Sequence, residues 1–256
     1  MTGEQRRDDA PARTGPRGLV EAAAFLTVVG SGRAPTPAAL PWFGVVGAGL
    51  GAAVGLVWWA TAQWWTVGVA AALALVADAA LTGLLHLDGL ADSADGLLPP
   101  VSRDRRLEIL RDSRSGAFAI VTVVLVLLVR FAALAATVPD AASIAALASI
   151  WCTARVAMAV TAVTVPYARP QGLASAFTGG RVVPVLVVGV PIAIVTAVIG
   201  HDPWMTGVLA VAATAVGAAA VVVFGRARLG GFTGDVLGAA GVVGETIGLL
   251  VLVAHG

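Results

Sequence analysis

Three aspartates stand at helical spacing in one short stretch of the chain. They are Asp88, Asp92 and Asp95, within the run His86-Leu-Asp88-Gly-Leu-Ala-Asp92-Ser-Ala-Asp95-Gly. On an α-helix the positions i, i+4 and i+7 fall within an arc of about 60°, so the three carboxylates would share one face and repel one another. A divalent cation would relieve that repulsion, and all-oxygen ligands favour Mg²⁺, Mn²⁺ or Ca²⁺ over zinc. The spacing therefore predicts a metal site of the kind used in phosphoryl transfer, where a few carboxylates and the substrate phosphates hold Mg²⁺.

A solvated acidic surface is the alternative interpretation of this stretch. We favour the metal site, because the glycine, alanine and leucine residues between the aspartates are not typical of a solvated helix face. His86 would lie on the side of the helix opposite Asp88. It is a candidate metal ligand, although a structural hydrogen bond is the more common role for such a histidine.

An arginine-rich segment, residues 103–116, follows the aspartates. Arg111 and Arg114 are candidates to bind a pyrophosphate, and Asp112 between them adds a carboxylate. The segment could equally be an amphipathic helix whose arginines contact anionic lipid headgroups. Both interpretations stay open, because an arginine-rich cytoplasmic loop is expected in any membrane protein.

Two later loops carry side chains of the same chemical types. One loop holds Tyr167 and Arg169 between a proline and a glycine. The other, Gly230-Gly-Phe-Thr233-Gly-Asp235, leads into the last apolar run. Its glycines would let backbone N–H groups approach an anion at the start of a helix, although such a short glycine string is weak evidence by itself.

Charged residues inside the apolar runs are a separate signal. Glu245 lies in the last run, ten residues or about 15 Å of helix beyond Asp235, so the two could ligate one ion only if the helix were broken. Arg130 and Arg155 lie in other apolar runs. Pairing of these arginines with Asp78 or Glu245, or a polar cavity, would explain how they are tolerated there.

The composition is that of a membrane protein. Of 256 residues, 58% are hydrophobic and 12% are charged, against about a quarter charged in soluble domains. The mean hydropathy is +0.91. A net charge of +1 gives no basic field for nucleic acid, and one cysteine, Cys152, excludes a disulfide within the chain and a zinc site built from cysteines.

Apolar runs of roughly 20 residues, long enough to cross a bilayer, predict about seven transmembrane helices. They cover residues 40–62, 65–85, 117–138, 142–165, 182–200, 204–224 and 236–254. The predicted fold class is therefore all-α, a polytopic membrane helix bundle. A shorter apolar stretch, residues 19–29, is expected to form an interfacial or half-inserted helix.

The arginines predict the orientation of this bundle. They occur before the first run and in every second loop, at residues 103–114, 169–181 and 226–228. By the positive-inside rule these loops and the N-terminus are cytoplasmic, and seven spans place the C-terminus in the periplasm. We expect residues 1–17 to form a disordered cytoplasmic tail and residues 18–256 to form a single transmembrane catalytic domain.

Four blocks of the sequence resemble the motifs of one family, cobalamin synthase, also called adenosylcobinamide-GDP ribazoletransferase. The blocks are residues 86–96, 105–116, 167–173 and 230–239, followed by Glu245. Arg130 and Arg155 also match basic positions of the family, and the order and spacing agree over nearly the whole chain after Leu19. There are departures: Val28-Val29 stand where the family usually has an arginine-containing motif, Val242 replaces a glutamate, and Ala117 replaces a threonine.

The resemblance implies the last assembly step of adenosylcobalamin synthesis. Adenosylcobinamide-GDP would receive α-ribazole or its 5′-phosphate and release GMP, with Mg²⁺ as the cofactor. The protein would be a multi-pass enzyme of the bacterial inner membrane, with its active site on the cytoplasmic side. Its partners would be these small molecules and the lipid bilayer, with other cobalamin-assembly enzymes or a second copy of the chain as further candidates.

The resemblance also implies roles for individual residues. The catalytic residues would be Asp88, Asp92, Asp95 and Asp235. The metal ligands would be the same four aspartates and Asp112. The substrate-binding residues would be His86, Arg111, Ser113, Arg114, Arg155, Tyr167, Arg169, Thr233, Gly234 and Glu245.

Two other classes of protein remain as alternatives. A CDP-alcohol phosphotransferase or a prenyltransferase also places aspartates at helical spacing beside a membrane. Asp92 stands where the first has an arginine, and Asp95 breaks the regular spacing of the second. A transporter would be expected to show internal repeats and charges at mid-membrane, whereas most acids here lie at the predicted cytoplasmic edge.

Overall fold

The computed structural model of the chain describes residues 16–30, 35–112, 114–169, 172–177, 179–200 and 204–254. Within these ranges the chain forms α-helices and two short 3-10 helices, Pro37–Trp42 and Leu173–Phe177, and no β-strand. The α-helices are α1 Pro16–Leu26, α2 Phe43–Ala62, α3 Val67–Thr82, α4 Leu85–Leu97, α5 Arg103–Ile109, α6 Ala117–Ala135, α7 Ala141–Thr164, α8 Val182–Ile199, α9 Trp204–Leu229 and α10 Gly234–Val253.

Six of these helices are long and apolar enough to cross a membrane: α2 with the 3-10 turn before it, and α6 to α10. A seventh crossing exists if α3 and α4, which meet at 90°, are counted together. The 16 residues of α3 reach about 24 Å, most of the ~30 Å hydrocarbon thickness. We therefore treat α3 as the crossing and α4 as lying outside it. The predicted polytopic all-α bundle is confirmed.

The centre of the bundle is formed by α7 and α10. Of the 18 most apolar consecutive residues in α7 and in α10, 78% and 72% are buried within the protein. The corresponding share is 22% for α6 and for α8, which face outward. Glycines allow the central helices to approach closely. A Cβ atom on Gly47 of α2, for example, would lie 2.6 Å from the carbonyl oxygen of Trp151 on α7.

The bend between α3 and α4 is built from two consecutive residues in the left-handed region. Gly83 ends α3 with φ of 58°, and Leu84 follows with φ of 62°. Glycine adopts this conformation freely, whereas a leucine there costs about 1–3 kcal/mol. Hydropathy placed residues 65–85 in one span, and the bend within it was not predicted, because hydropathy does not register backbone conformation. The bend turns α4 across the end of the bundle.

Hydrogen bonds join the arginine-bearing loops at that same end. Arg103 Nε donates to the carbonyl of Leu229 at 2.7 Å, and Arg228 donates to the carbonyl of Leu97 at 3.2 Å. We call this the arginine end of the bundle. One small cleft at the opposite end is lined by residues that include Thr137, Asp140, Gly200 and Leu252.

The described residues include only part of the N-terminal region for which a tail and a short helix were predicted. Residues 1–15 of the predicted tail lie outside the described residues, and α1 begins at Pro16. The helix expected over residues 19–29 is present, and it ends at Leu26.

Candidate active site

Helix α4 lies directly against the start of α10. A Cβ atom on Gly89 would lie 2.9 Å from the carbonyl oxygen of Asp235 and 3.2 Å from the Cα atom of Gly238. Only glycine permits this backbone contact, because any side chain at position 89 would push the two helices apart. The contact brings the aspartates of α4 beside Asp235, which is 147 positions away from Asp88 in the sequence.

The aspartates of α4 share the face that their spacing predicted. Asp88 is exposed, Asp92 and Asp95 are half-buried, and His86 and Ser93 on the other side of the helix are buried. The side chains of Asp88 and Asp92 make no hydrogen bond or ion pair with any residue that the structure describes. Two carboxylates on adjacent turns are therefore left open.

Partial burial and neighbouring negative charges act together on Asp92. Burial, followed by the negative charges of Asp235 and Asp88, raises the pKa of Asp92 to about 6. Arg169 opposes the shift without cancelling it. Asp88, Asp92 and Asp235 thus form one mutually repelling set, which we call the acidic face.

Asp95 has a different environment from the other two aspartates of α4. Its Oδ2 accepts the backbone N–H of Gly116 at 2.5 Å, and its Oδ1 accepts that of Ala119 at 3.0 Å. Gly116 precedes α6 and offers no side-chain cap of its own. Asp95 therefore caps the first turn of α6, where four backbone N–H groups lack partners within the helix. It was predicted to be catalytic and metal-binding, and the structure places both of its oxygens in this cap.

Asp235 is held in place by its neighbours. Arg169 Nη2 donates to its Oδ2 at 2.9 Å, and the Thr233 hydroxyl donates to the same oxygen at 3.1 Å. Thr233 is also the N-cap of α10, accepting the backbone N–H of Val236 at 3.3 Å. Gly234 is exposed, and a Cβ atom there would meet only open space. The start of α10 is thus accessible beside an oriented carboxylate.

The two predicted loops pair with each other to position Arg169. The backbone N–H of Ala168 donates to the carbonyl of Phe232 at 2.8 Å, and the backbone N–H of Phe232 donates to the carbonyl of Pro166 at 2.9 Å. The rings of Tyr167 and Phe232 stack edge to face with centroids 5.2 Å apart. Burial raises the pKa of Tyr167 above its ordinary value. Tyr167 therefore lies in the wall of the site, packed against the glycine loop.

The arginine-rich segment is less closely associated with the acidic face. Arg114 pairs with Asp112 at 2.7 Å in an exposed ion pair, and its hydrogen bonds lower the pKa of Asp112 to about 2. Arg111 is exposed at the end of α5. Ser113 lies outside the described residues. None of the described side chains in this set forms a hydrogen bond or ion pair with Asp88 or Asp92.

Arg155 and Glu245 lie together in the interior of the bundle. Arg155 Nη1 donates to Glu245 Oε1 at 2.5 Å, and Arg130 Nη2 bridges Glu245 at 3.1 Å and Asp78 at 3.0 Å. The Trp151 indole donates to Asp78 at 3.0 Å. These residues form the buried ion-pair network. The predicted pairing of the intramembrane charges is present, and because α10 is unbroken, Glu245 stays apart from Asp235.

The carboxylates of the acidic face would suit a magnesium ion that also binds substrate phosphate, and the metal site predicted from five aspartates stays a prediction. Among the described residues no three acidic, histidine or cysteine side chains lie close enough to hold an ion by themselves. Mg²⁺ in proteins commonly uses one or two carboxylates together with water and substrate phosphates. Asp88 and Asp92 are open carboxylates of this kind, and a cation would relieve their repulsion.

The sequence analysis did not identify Arg106, which supports the helix that carries the aspartates. Arg106 is buried and donates to the carbonyls of Gly96 at 3.0 Å and Leu97 at 2.7 Å, which closes the C-terminal end of α4. The signal was the pair of prolines at 99 and 100, which turns the chain back so that α5 can reach the unpaired carbonyls of α4. The structural hydrogen bond expected for His86 is absent, because both of its ring nitrogens are buried without a hydrogen-bond partner in the described structure.

Comparison with known proteins identifies the family. Residues 18–253 match the family model described as cobalamin-5-phosphate synthase. A relative from Escherichia coli is 40% identical over an aligned length of 220 residues, and the match covers 82% of this chain and 85% of the relative. One from Shigella boydii is 40% identical with the same coverage of 82% and 85%, and one from Bradyrhizobium diazoefficiens is 38% identical over 74% of this chain and 72% of the relative.

All three relatives are named adenosylcobinamide-GDP ribazoletransferase. No solved structure matches the chain. The family match covers every helix of the bundle from α2 to α10, and it includes the acidic face, the paired loops and the buried ion-pair network. The chain belongs to the cobalamin-5-phosphate synthase family.

Proposed function

We propose that this protein is a Mg²⁺-dependent transferase that joins adenosylcobinamide-GDP to α-ribazole, or to α-ribazole 5′-phosphate, and releases GMP. The observation that carries the proposal is the pair of open carboxylates, Asp88 and Asp92, beside the arginine-bound Asp235 at one end of a membrane bundle. The names of the relatives supply the substrates. No observation favours a CDP-alcohol phosphotransferase, a prenyltransferase or a transporter.

The reaction exchanges one phosphorus–oxygen bond for another. A ribose hydroxyl of α-ribazole forms a bond to the phosphorus next to cobinamide, the bond from that phosphorus to GMP breaks, and the hydroxyl loses its proton. Such a transfer requires in-line alignment and neutralisation of the charge on the diphosphate. Mg²⁺ would supply the neutralising charge when it is bound.

The residues of the acidic face divide this work between them. Asp88 and Asp92 would hold the metal, because their oxygens have no protein partner among the described residues. Arg169 and Thr233 orient Asp235 toward the same space. Gly234 leaves the first turn of α10 open, where backbone N–H groups can donate to a phosphate oxygen.

The right-angle turn into α4 suits this division of labour. It sets the aspartates across the end of the bundle, where a diphosphate can arrive from water and a corrinoid can rest against the membrane surface. We propose that this end faces the cytoplasm of a bacterial cell and that the protein resides in the inner membrane. A C-terminal reporter should then be active only in the periplasm, and activity in the cytoplasm would mean an even number of crossings.

A direct assay tests the function. Purified protein should release GMP from adenosylcobinamide-GDP only when α-ribazole or its 5′-phosphate is present, EDTA should stop the release, and Mg²⁺ should restore it. Asp92→Asn should lose this activity. Asp104→Asn is its matched control, because Asp104 is 90% exposed on α5 and the variant makes the same chemical change outside the site. Full activity in metal-free buffer would contradict the metal proposal, and no GMP release would contradict the function.

A further inference from the structure

A second concave region lies away from the acidic face, between α7, α8 and α9. It encloses about 360 Å³ and is lined by residues that include Val156, Val160, Leu186, Val190, Ala215 and Ala219. Leu186 and Val190 are 40% and 43% exposed, so the region is a groove open to the outside of the bundle. All three helices are apolar enough to cross the membrane, and the groove therefore opens onto lipid.

The walls of the groove offer nothing for a polar ligand. Thr153 and Thr161 are its polar side chains, and each hydroxyl already donates to a carbonyl of its own helix at 2.8 Å. An apolar chain would fill the groove without leaving any polar group unpaired.

The groove is too short for another membrane-spanning helix. On α8 it runs from Leu186 to Ile194, about 12 Å of helix. A helix that crosses the membrane spans about 30 Å of hydrocarbon and would need a groove of comparable length. A single hydrocarbon chain from one leaflet of the bilayer is the occupant of matching length.

Arg226 of α9 lies beyond the groove, at the arginine end of the bundle. Val211, Ala215 and Ala219 line the groove at steps of four, and Arg226, seven residues further, continues the same face of α9. Arg226 is exposed, and no described residue pairs with it. Arg228, by contrast, turns to the other side and binds the carbonyl of Leu97. Arg226 is therefore positioned for a negative charge at the depth of the lipid headgroups.

We propose that this groove binds one anionic phospholipid, with an acyl chain between α7, α8 and α9 and its headgroup phosphate on Arg226. The inference rests on the groove and on Arg226 and does not depend on the transferase activity. It adds a lipid site on the outer surface of the bundle, on the face formed by α8 and α9.

The test uses the full-length protein, purified and delipidated in detergent and then titrated with phosphatidylglycerol or phosphatidylcholine of identical acyl chains. Native mass spectrometry should show one phosphatidylglycerol that binds more tightly than the first phosphatidylcholine. Ala215→Phe, which fills the groove, should remove this bound lipid. Ala220→Phe, the same change on an exposed part of α9 outside the groove, should not.

Arg226→Gln provides a second test that does not threaten folding, because Arg226 is exposed. It should reduce the preference for phosphatidylglycerol about fivefold, the effect of one arginine near the headgroups, while chain binding persists. Arg105→Gln is the control for loss of an exposed arginine elsewhere. Three results would overturn the proposal. They are equal binding of the two lipids by the wild-type protein, unchanged lipid binding in Ala215→Phe, or a dimer of the wild-type protein that the Ala215→Phe substitution converts to a monomer.

Discussion

The acidic face and the buried ion-pair network use the same kind of side chain under opposite conditions. At the acidic face, Asp88 and Asp92 have no partner among the described residues. In the network, Glu245 contacts two arginines and Asp78 contacts one, and all of these side chains are at most 10% exposed. The network is neutral, with two acids and two arginines, whereas the acidic face carries three carboxylates beside Arg169.

The difference follows from access to water. An unpaired charge in an apolar interior is expensive, so the network persists only as a fully paired set. At the end of the bundle, water solvates the open carboxylates and leaves their oxygens available to a cation. Paired acids therefore indicate a structural role in this protein, and open acids indicate the place where a metal and a phosphate can bind.

The largest effect is expected at Asp92. Asp92→Asn keeps the shape of the side chain but removes its charge, so the rate of GMP release should fall by at least about 10²–10³. The yield of membrane-inserted protein should be unchanged, because the side chain of Asp92 makes no hydrogen bond with the described residues. Asp104→Asn serves as the control, and an Asp92→Asn protein that is active at saturating Mg²⁺ would show that the two regions do not differ as we describe.

Substitutions in the buried ion-pair network should lower the stability of the protein and should leave its Mg²⁺ requirement unchanged. Arg130→Met leaves two acids facing one arginine, and we expect a loss of about 3–5 kcal/mol in the free energy of unfolding. Adding Asp78→Asn restores neutrality and keeps an acceptor for Trp151, so the double variant should be more stable than Arg130→Met alone. Thermal unfolding in detergent measures both.

Arg105→Met is the control for this comparison, because Arg105 forms an exposed ion pair with Glu108 and should lose at most about 1 kcal/mol. The half-saturating Mg²⁺ concentration should stay unchanged in each network variant that folds. A network variant with normal stability but a higher half-saturating Mg²⁺ concentration would assign the network to the metal site.

The half-saturating Mg²⁺ concentration should depend on pH through the ionisation of Asp92. Its pKa of about 6 lies above the ordinary value, so ionisation of Asp92 opposes folding of the metal-free protein as pH rises through the window from about 4 to 6. A proton and a metal compete for the same carboxylate. The half-saturating Mg²⁺ concentration should therefore rise about tenfold per unit of pH below 6 and level off above 7. A flat profile would exclude Asp92 as a ligand.

The smallest effect is expected at Asp95, which belongs with the paired acids although it lies on α4. Asp95→Ala removes the cap of α6 and should lower the free energy of unfolding by about 0.5–2 kcal/mol. Asp140→Ala is a matched control, since Asp140 caps α7 by accepting the N–H of Ser143 at 2.7 Å. If half-saturating Mg²⁺ rises for Asp95→Ala and not for Asp140→Ala, Asp95 is a ligand as well as a cap.

The sequence alone determined the membrane class of the protein, the approximate bounds of its spans and the common face of its three aspartates. Each of these depends on local patterns: apolar length, arginine distribution, and the helical period that places Asp88, Asp92 and Asp95 together. It also predicted which intramembrane charges had candidate partners, because unpaired charges in lipid are rarely tolerated. The motifs were specific enough to indicate the family.

The tertiary structure decided which acids are open and which are paired. Asp95 and Asp92 are indistinguishable by spacing, and only the approach of Gly116 and Ala119 gives the first a capping role. The left-handed turn at Gly83 and Leu84 and the glycine contact at Gly89 set the direction and depth of α4. Hydropathy and periodicity describe one segment at a time, whereas a carboxylate's partners are set by atoms that folding brings from distant parts of the chain.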